Sequence, residues 1–158
     1  MKIPVSQLPT LEFKYKNNRS VSNGATLVGV LGNLPKYARV LRQLDSIVQQ
    51  TQPDLIINFF EPIAAFYAIT RRRRPPIVAI GHQFMFQHAG YVRTPHLWKQ
   101  QLSMKLYTRI LGARACKLAL SLYSAADVPA KRIVVGPPIL RKQLFSLRSN
   151  PNGDFALV

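Results

Sequence analysis

The acidic side chains limit the acid–base chemistry that this sequence can perform, because 158 residues contain only six Asp and Glu residues. Glu61 stands apart from the other five. It follows an apolar run over residues 54–60 that is typical of a buried strand, and Pro62 marks a helix start directly after it. A carboxylate between a strand and a helix can accept a proton from a bound substrate, so Glu61 is a candidate general base.

A second group of polar residues follows the next apolar run, Ile77–Ile80. His82 and Gln83 come directly after Gly81 at the end of that run. Parallel strands end at the same edge of a sheet, and open α/β sheets bind their ligands there. We therefore expect Glu61, His82 and Gln83 to meet in one crevice. His82 is the rival base, since an imidazole can accept a proton at neutral pH.

Several other chemistries lack sequence support. The chain contains no zinc motif, Walker A loop, GxSxG elbow or GxGxxG fingerprint. Cys116 is the single cysteine, which excludes an internal disulfide, and its apolar neighbours predict a small buried side chain. His82 and His88 have no carboxylate nearby at ligand spacing. We expect neither a metal site nor a cofactor.

The elements that must position these residues alternate between helix and strand. Helical spacing is seen at residues 34–48, 62–70 and 96–111, and strand-like runs at 11–16, 54–60, 77–80, 116–122, 132–135 and 154–158; a short helix is possible over 25–31. This order predicts an α/β fold, a Rossmann-like parallel sheet with flanking helices. We expect residues 1–147 to form one incomplete domain. Residues 148–158 would be a linker and the start of a second domain, in which the chain stops.

The charge is strongly one-sided, with 22 Lys and Arg against six acidic residues and a formal net charge of +16. Such a field attracts nucleic acid, anionic lipid or phosphorylated ligands. The residues expected to contact a membrane or another anion are four arginines at a helix end and three cations on the 96–111 helix: Arg71, Arg72, Arg73, Arg74, Lys99, Lys105 and Arg109. No signal peptide or bilayer-spanning run is visible. We expect a cytoplasmic protein, and the charge allows peripheral contact with the inner face of the cell membrane.

Three segments resemble a known family: residues 53–62 (PDLIINFFEP), 80–88 (IGHQFMFQH) and 135–141 (VGPPILR). They are similar to bacterial GT-B glycosyltransferases related to the enzyme that adds N-acetylglucosamine to the lipid intermediate of peptidoglycan. The resemblance covers roughly residues 10–158. It implies an N-terminal, acceptor-side domain, in which Glu61 and His82, identified above at the strand ends, are the expected catalytic residues. Gln83, His88 and Asn58, from the same segments, are its expected substrate-binding residues.

The resemblance also implies partners. The donor would be a nucleotide sugar held by a second Rossmann-like domain, and the acceptor could be a polyprenyl phosphate or another membrane-borne molecule. Members of this family usually begin with a strand and a GxGHxxR segment, which this sequence lacks before Leu11. We therefore expect the chain by itself to bind nucleotide sugars poorly and to be inactive until the missing segments complete it.

Two other functions remain open at this stage. The charge alone would fit a nucleic-acid-binding protein, but the aromatic residues form no RNA-recognition or cold-shock pattern. The chain could also be a non-catalytic partner subunit of a transferase whose two domains are separate proteins. Sugar transfer is the favoured function, and binding of nucleic acid is not.

Overall fold

A computed structural model gives the structure of the protein and describes residues 5–10, 15–16, 20–21, 32–91, 94–138 and 140–141. The helices are α1 (Leu34–Thr51), α2 (Pro62–Thr70) and α3 (Trp98–Leu111), with 3₁₀ turns at His82–Gln87, Pro95–Leu97 and Pro129–Lys131. The strands are β1 (Tyr15–Lys16), β2 (Ser20–Val21), β3 (Ile56–Asn58), β4 (Ile77–Ile80), β5 (Cys116–Leu120) and β6 (Ile133–Gly136).

Four of these strands form a parallel sheet in the order β3-β4-β5-β6. Asn58 pairs with Ala79, Ile80 with Leu118, and Leu120 with Gly136, so the strands end at one common edge. α2 connects β3 to β4, and α3 lies between β4 and β5. The predicted α/β, Rossmann-like class is therefore confirmed. β1 and β2 form a separate antiparallel pair.

The core lies between the sheet and its covering elements. Ala68 of α2 packs with Ile77 and Ala79 of β4, and the 3₁₀ turn after β4 adds Phe84 and Met85. α2 is apolar almost all round, and five of its nine residues are buried. A helix of this kind is stable only against other elements, which explains its place between α1 and the sheet.

Two expectations about burial are wrong. The run 54–60 was expected to be a strand buried on both faces, but β3 spans only three residues and Ile57 is 54% exposed. β3 lies at the edge of the sheet that the described residues form, so its outer side has no neighbouring strand. Cys116 is exposed rather than buried. The alternation along β5 turns Lys117 and Ala119 inward instead.

Other predicted boundaries agree to within a few residues. The helices expected at 34–48, 62–70 and 96–111 and the strands at 77–80, 116–122 and 132–135 all occur. The 3₁₀ turn at His82–Gln87, directly after β4, packs on α3 and β5. Most of the strand expected at 11–16, the helix at 25–31, the linker and the strand at 154–158 lie outside the described residues. The domain boundary stays a prediction.

Candidate functional site

Asn58, the last residue of β3, fixes the backbone at the sheet edge. Its side chain is 2% exposed. Its amide nitrogen donates to the carbonyl oxygen of Glu61 at 3.1 Å, and its amide oxygen accepts from the backbone nitrogen of Glu61 at 2.6 Å. Phe60, inside this tight loop, has a φ of 59°, a left-handed conformation that is uncommon for a bulky residue. Asn58 thus positions Glu61, while its predicted substrate contact stays a prediction.

Glu61 is half-buried at the start of α2, where Pro62 occupies the first turn. The hydroxyl of Thr10 donates a hydrogen bond to its Oε1 atom. Tyr107 of α3 lies close enough for the carboxylate to influence it: burial first, and then the charge of Glu61, raise the pKa of Tyr107 to about 12. The Tyr107 phenol therefore keeps its proton at neutral pH. The Thr10 hydroxyl thus bonds the carboxylate directly, and the Tyr107 phenol lies within range of its charge.

The end of β4 lies against the same loop. A Cβ atom at Gly81 would lie 2.8 Å from Oε1 of Gln83 and 3.3 Å from Cδ2 of Phe60, so only glycine fits there without displacing them. The Phe60 ring meets the Phe84 ring edge-on at 5.3 Å and the Tyr107 ring at 5.8 Å. These contacts bring the loops after β3 and β4 together. His82 begins the 3₁₀ turn there with an exposed side chain.

His88 lies at the other end of that turn, where its ring contacts the backbone of other residues. Its Nε2 atom is 2.9 Å from the carbonyl oxygen of Ala126, and its Nδ1 atom accepts from the backbone nitrogen of Gly90 at 2.9 Å. The ring therefore carries its proton on Nε2, and both nitrogens are engaged. His88 lines a cavity of about 550 Å³ beside the start of α3. Its predicted contact with substrate stays a prediction.

The four consecutive arginines divide into two kinds. Arg71 forms an ion pair with Asp45 of α1 at 3.1 Å. Arg74 donates to the carbonyl oxygens of Ala68, Pro75 and Arg114 at 2.9–3.1 Å. These two side chains hold elements together, whereas Arg72 and Arg73 are exposed. Within the described part of the chain, Arg72 and Arg73 are therefore the members of the run that are free of such structural contacts, and membrane or anion contact by the run stays a prediction.

The outer face of α3 carries an apolar stripe beside cations. Trp98, Leu102, Leu106 and Ile110 recur every four residues and are all exposed. Lys99, Lys105 and Arg109 lie on the same helix, also exposed, and the ammonium of Lys99 lies 5.5 Å from the Trp98 ring centre. An exposed apolar stripe with adjoining cations is typical of a helix that contacts a membrane surface or a partner.

Sequence reasoning missed Thr10, which bonds the Glu61 carboxylate, and Tyr107, whose pKa the charge of Glu61 helps to raise. Tyr107 carries no motif, and its only signal is its position on the opposite face of α3 from the stripe. Thr10 is far from Glu61 along the chain, and nothing local marks it. Among the described residues, no group of three or more His, Cys, Asp or Glu side chains could hold a metal ion. Within the same residues, no helix has the length and apolar character required to span a bilayer.

One family model matches this chain, and it matches nearly the whole of it. The model is described as glycosyl transferase family 1, and the match extends over residues 2–158. No curated protein and no solved structure matches the chain.

Proposed function

The chain belongs to glycosyl transferase family 1, and from that premise we propose that it forms the acceptor side of a sugar-transfer site of GT-B type. In this proposal a second Rossmann-like domain supplies the nucleotide sugar, and the edge where β3 and β4 end faces it. The observation that carries the proposal is the placement of Glu61, which Asn58 holds at that edge beside Thr10 and Tyr107.

The reaction needs one proton acceptor. A hydroxyl oxygen of the acceptor forms a bond to the anomeric carbon of the sugar, the bond from that carbon to the diphosphate breaks, and the nucleoside diphosphate leaves. The hydroxyl proton passes to a base on the enzyme. Glu61 and His82 are the two candidates at this edge of the sheet, and Gln83 between the loops can orient the substrate by hydrogen bonding.

The neighbours of Glu61 support the role of base. The Thr10 hydroxyl holds one carboxylate oxygen, which fixes the direction of the group. Tyr107 stays protonated and places a neutral ring beside the carboxylate. Neither neighbour is a cation that would form a fixed ion pair with Glu61. Among the described residues Glu61 forms no salt bridge, so its positioned carboxylate can approach a hydroxyl without first leaving one.

We further propose that the acceptor is membrane-borne, such as a polyprenyl phosphate, as in the peptidoglycan-related transferases that the sequence resembles. The exposed stripe of α3 and its cations, with Arg72 and Arg73, would rest on the inner face of the membrane. Each basic group near an anionic surface contributes about 1 kcal/mol of binding free energy. At moderate salt this attraction decays over a distance of about 10 Å. The leaving diphosphate would be stabilised by a helix N-terminus and basic groups rather than by a metal.

Detection of the transfer product tests the reaction. The complete gene product that carries this chain is incubated with radiolabelled UDP- and GDP-sugars and polyprenyl phosphate, and lipid-extracted label is measured. We expect label in the lipid fraction with at least one donor. If no donor gives labelled product with lipid, saccharide or protein acceptors, the proposal of sugar transfer is wrong.

Vesicle co-sedimentation tests the membrane contact separately. We expect binding to anionic vesicles that decreases as salt rises, and little binding to neutral ones. Leu106→Gln on the α3 stripe should weaken binding, whereas Leu34→Gln, an equally exposed leucine on α1, should not. Equal binding to both vesicle types, or a preference for nucleic acid at matched salt, would favour the nucleic-acid alternative.

A further inference from the structure

A second cavity, of about 420 Å³, lies beside the end of α3, the start of β5 and the 3₁₀ turn after β4. Among the described residues, five cationic side chains and no carboxylate line it: Lys105, Arg109, Arg114, Lys117 and Lys131. It shares no residue with the edge where Glu61 lies. We call it the basic cavity.

Lys117 is the unusual member of this group because it is buried. Only 8% of it is exposed, and its ammonium lies 3.5 Å from the carbonyl oxygen of Gly112, at the outer limit of a hydrogen bond. Burial lowers its pKa. Gly112 makes room for it, because a Cβ atom there would lie 2.5 Å from Cδ of Lys117. The fold thus places a cation inside the protein with little to stabilise its charge.

Gln87 supplies the second, independent observation. It lines the basic cavity and is 9% exposed, and its amide nitrogen is buried without a hydrogen-bond partner in the described part of the chain. Its backbone carbonyl accepts from Lys131 Nζ at 2.6 Å, which draws that lysine to the cavity wall. A buried donor without an acceptor is unfavourable, so native proteins rarely contain one unless a ligand or water completes it.

We propose that the basic cavity binds a phosphate or diphosphate group. The oxygens of such a group would accept from the Gln87 amide and from the Lys117 ammonium, and would neutralise the surrounding cations through charge-assisted hydrogen bonds. Arg109 and Arg114 have the forked donors that suit phosphate. The volume accommodates a group of this size together with water.

A simpler explanation accounts for only part of these observations. Cations gather near helix C-termini because the carbonyl groups there carry partial negative charge, and the end of α3 lies at this cavity. That effect explains exposed Arg109 and Arg114. It also accounts for the contact between the Lys117 ammonium and the Gly112 carbonyl, but not for the burial of the Lys117 side chain. Nor does it explain why the buried Gln87 amide nitrogen has no partner among the described residues, since burial of a charge or of an unsatisfied donor is unfavourable.

The test measures binding of pyrophosphate to the full chain by titration calorimetry. Lys117→Met and Gln87→Met remove the two buried donors with little change in volume, and Lys36→Met removes an equal charge from the exposed surface of α1. We expect Lys117→Met and Gln87→Met to weaken binding roughly tenfold to a hundredfold, and Lys36→Met to leave it close to that of the parent. Lys131→Met removes an exposed cation of the cavity together with its hydrogen bond to the Gln87 carbonyl, and it should also weaken binding.

A second readout locates the ligand. In a spectrum of ¹⁵N-labelled glutamine side chains, the signal that is absent from Gln87→Met should shift when pyrophosphate is added to the parent protein. No measurable binding of pyrophosphate, an equal loss in Lys117→Met and Lys36→Met, or an unmoved Gln87 signal would each overturn the proposal. Glu61→Gln should still bind pyrophosphate, so failure of the sugar-transfer proposal is distinguishable from failure of this one.

The same variants identify the source of the phosphate. Vesicles that contain phosphatidic acid present the group as a lipid headgroup, whereas pyrophosphate presents it in solution. If the natural ligand is a headgroup, phosphatidic acid vesicles should compete with pyrophosphate, and Lys117→Met should weaken both. If it is a soluble phosphate compound, vesicles should not compete, and Lys117→Met should weaken pyrophosphate binding alone.

Discussion

Two polar clusters meet the same helix, and they differ in how their polar groups are satisfied. At the end of β3, both atoms of the buried Asn58 amide are bonded to Glu61, and Thr10 holds the Glu61 carboxylate. In the basic cavity, the buried Gln87 amide nitrogen has no partner among the described residues, and Lys117 has one long hydrogen bond. α3 contributes Tyr107 to the first cluster and Lys105 and Arg109 to the second.

The difference indicates what each cluster requires from outside. A fully bonded cluster fixes the position of a reactive group before any substrate arrives, so its variants should lose stability or turnover. A cluster with unsatisfied groups destabilises the free protein and is stabilised by a ligand, so its variants can gain stability while losing binding.

The largest stability effect is expected at Asn58. Asn58→Leu leaves the backbone N–H and C=O of Glu61 without their partners, and we expect the free energy of unfolding to fall by about 3 kcal/mol. Asn58→Asp keeps the acceptor for the Glu61 N–H and loses the donor to the Glu61 carbonyl, so its free energy of unfolding should fall by roughly half as much. Urea denaturation measures both. Equal stability of all three proteins would show that this network does not hold the sheet edge.

The arginine run sharpens the contrast between bonded and free cations. Arg74→Gln removes three hydrogen bonds to carbonyl oxygens, one of them to Arg114 at the rim of the basic cavity. We expect the free energy of unfolding to fall by about 2 kcal/mol. Arg72→Gln removes the same charge at an exposed position, and its free energy of unfolding should stay within about 0.5 kcal/mol of that of the parent. Matching losses in the two variants would mean that net charge, rather than bonding, determines the effect.

Alkaline pH should affect the two clusters in opposite directions. Since the pKa of Tyr107 is raised from 10.0 to about 12, the unfolded chain loses this proton first, and stability falls between those pH values. Since the pKa of Lys117 is lowered from 10.5, the unfolded chain holds more protons below that value, and stability rises as pH approaches it.

Stability measured against pH in the parent and two variants separates these contributions. In the parent, ionisation of Tyr107 should lower the free energy of unfolding by roughly 1–2 kcal/mol near pH 12, after allowance for solvent screening. In Tyr107→Phe this decrease should be absent. A smaller decrease in stability should persist in that variant, because burial also raises the pKa of Tyr67. Lys117→Met should flatten the rise below pH 10.5. A pH profile unchanged by Tyr107→Phe would contradict the burial of that phenol, which is the main cause of its raised pKa.

The smallest effect, and the one with an unusual sign, is expected for Lys117→Met in phosphate-free buffer. Removal of a buried, poorly bonded charge should raise the melting temperature by about 2–4 °C. Pyrophosphate should stabilise the parent and leave the variant unchanged. A variant less stable than the parent in the absence of phosphate would show that the buried ammonium is well satisfied, and the contrast between the clusters would fail.

Periodicity predicted most of the fold, because the helices at 34–51, 62–70 and 98–111 and the strand at 77–80 are long or apolar enough to be recognised locally. It failed at Ile57 and Cys116, where burial depends on which strand is at the edge and which face is covered. Both are long-range properties of the sheet.

The sequence predicted only the part of the candidate site that lies at the ends of strands. Glu61, His82 and Gln83 follow from the rule that parallel strands end together. Thr10 and Tyr107 do not, since they reach Glu61 from segments about 50 residues away in each direction. The basic cavity was less visible still, because a lysine inside an apolar run gives no sign of whether it is buried or exposed.

The central claim is that a base at the ends of β3 and β4 serves sugar transfer. The most direct measurement is the turnover of the complete gene product at saturating donor for Glu61→Gln and His82→Asn. Asp54→Asn and His96→Asn, at exposed positions away from this edge, are the matched controls. We predict that one of the first two variants loses turnover about a hundredfold or more with an unchanged KM for the donor, while the controls keep it. Parental turnover in both Glu61→Gln and His82→Asn would contradict the account.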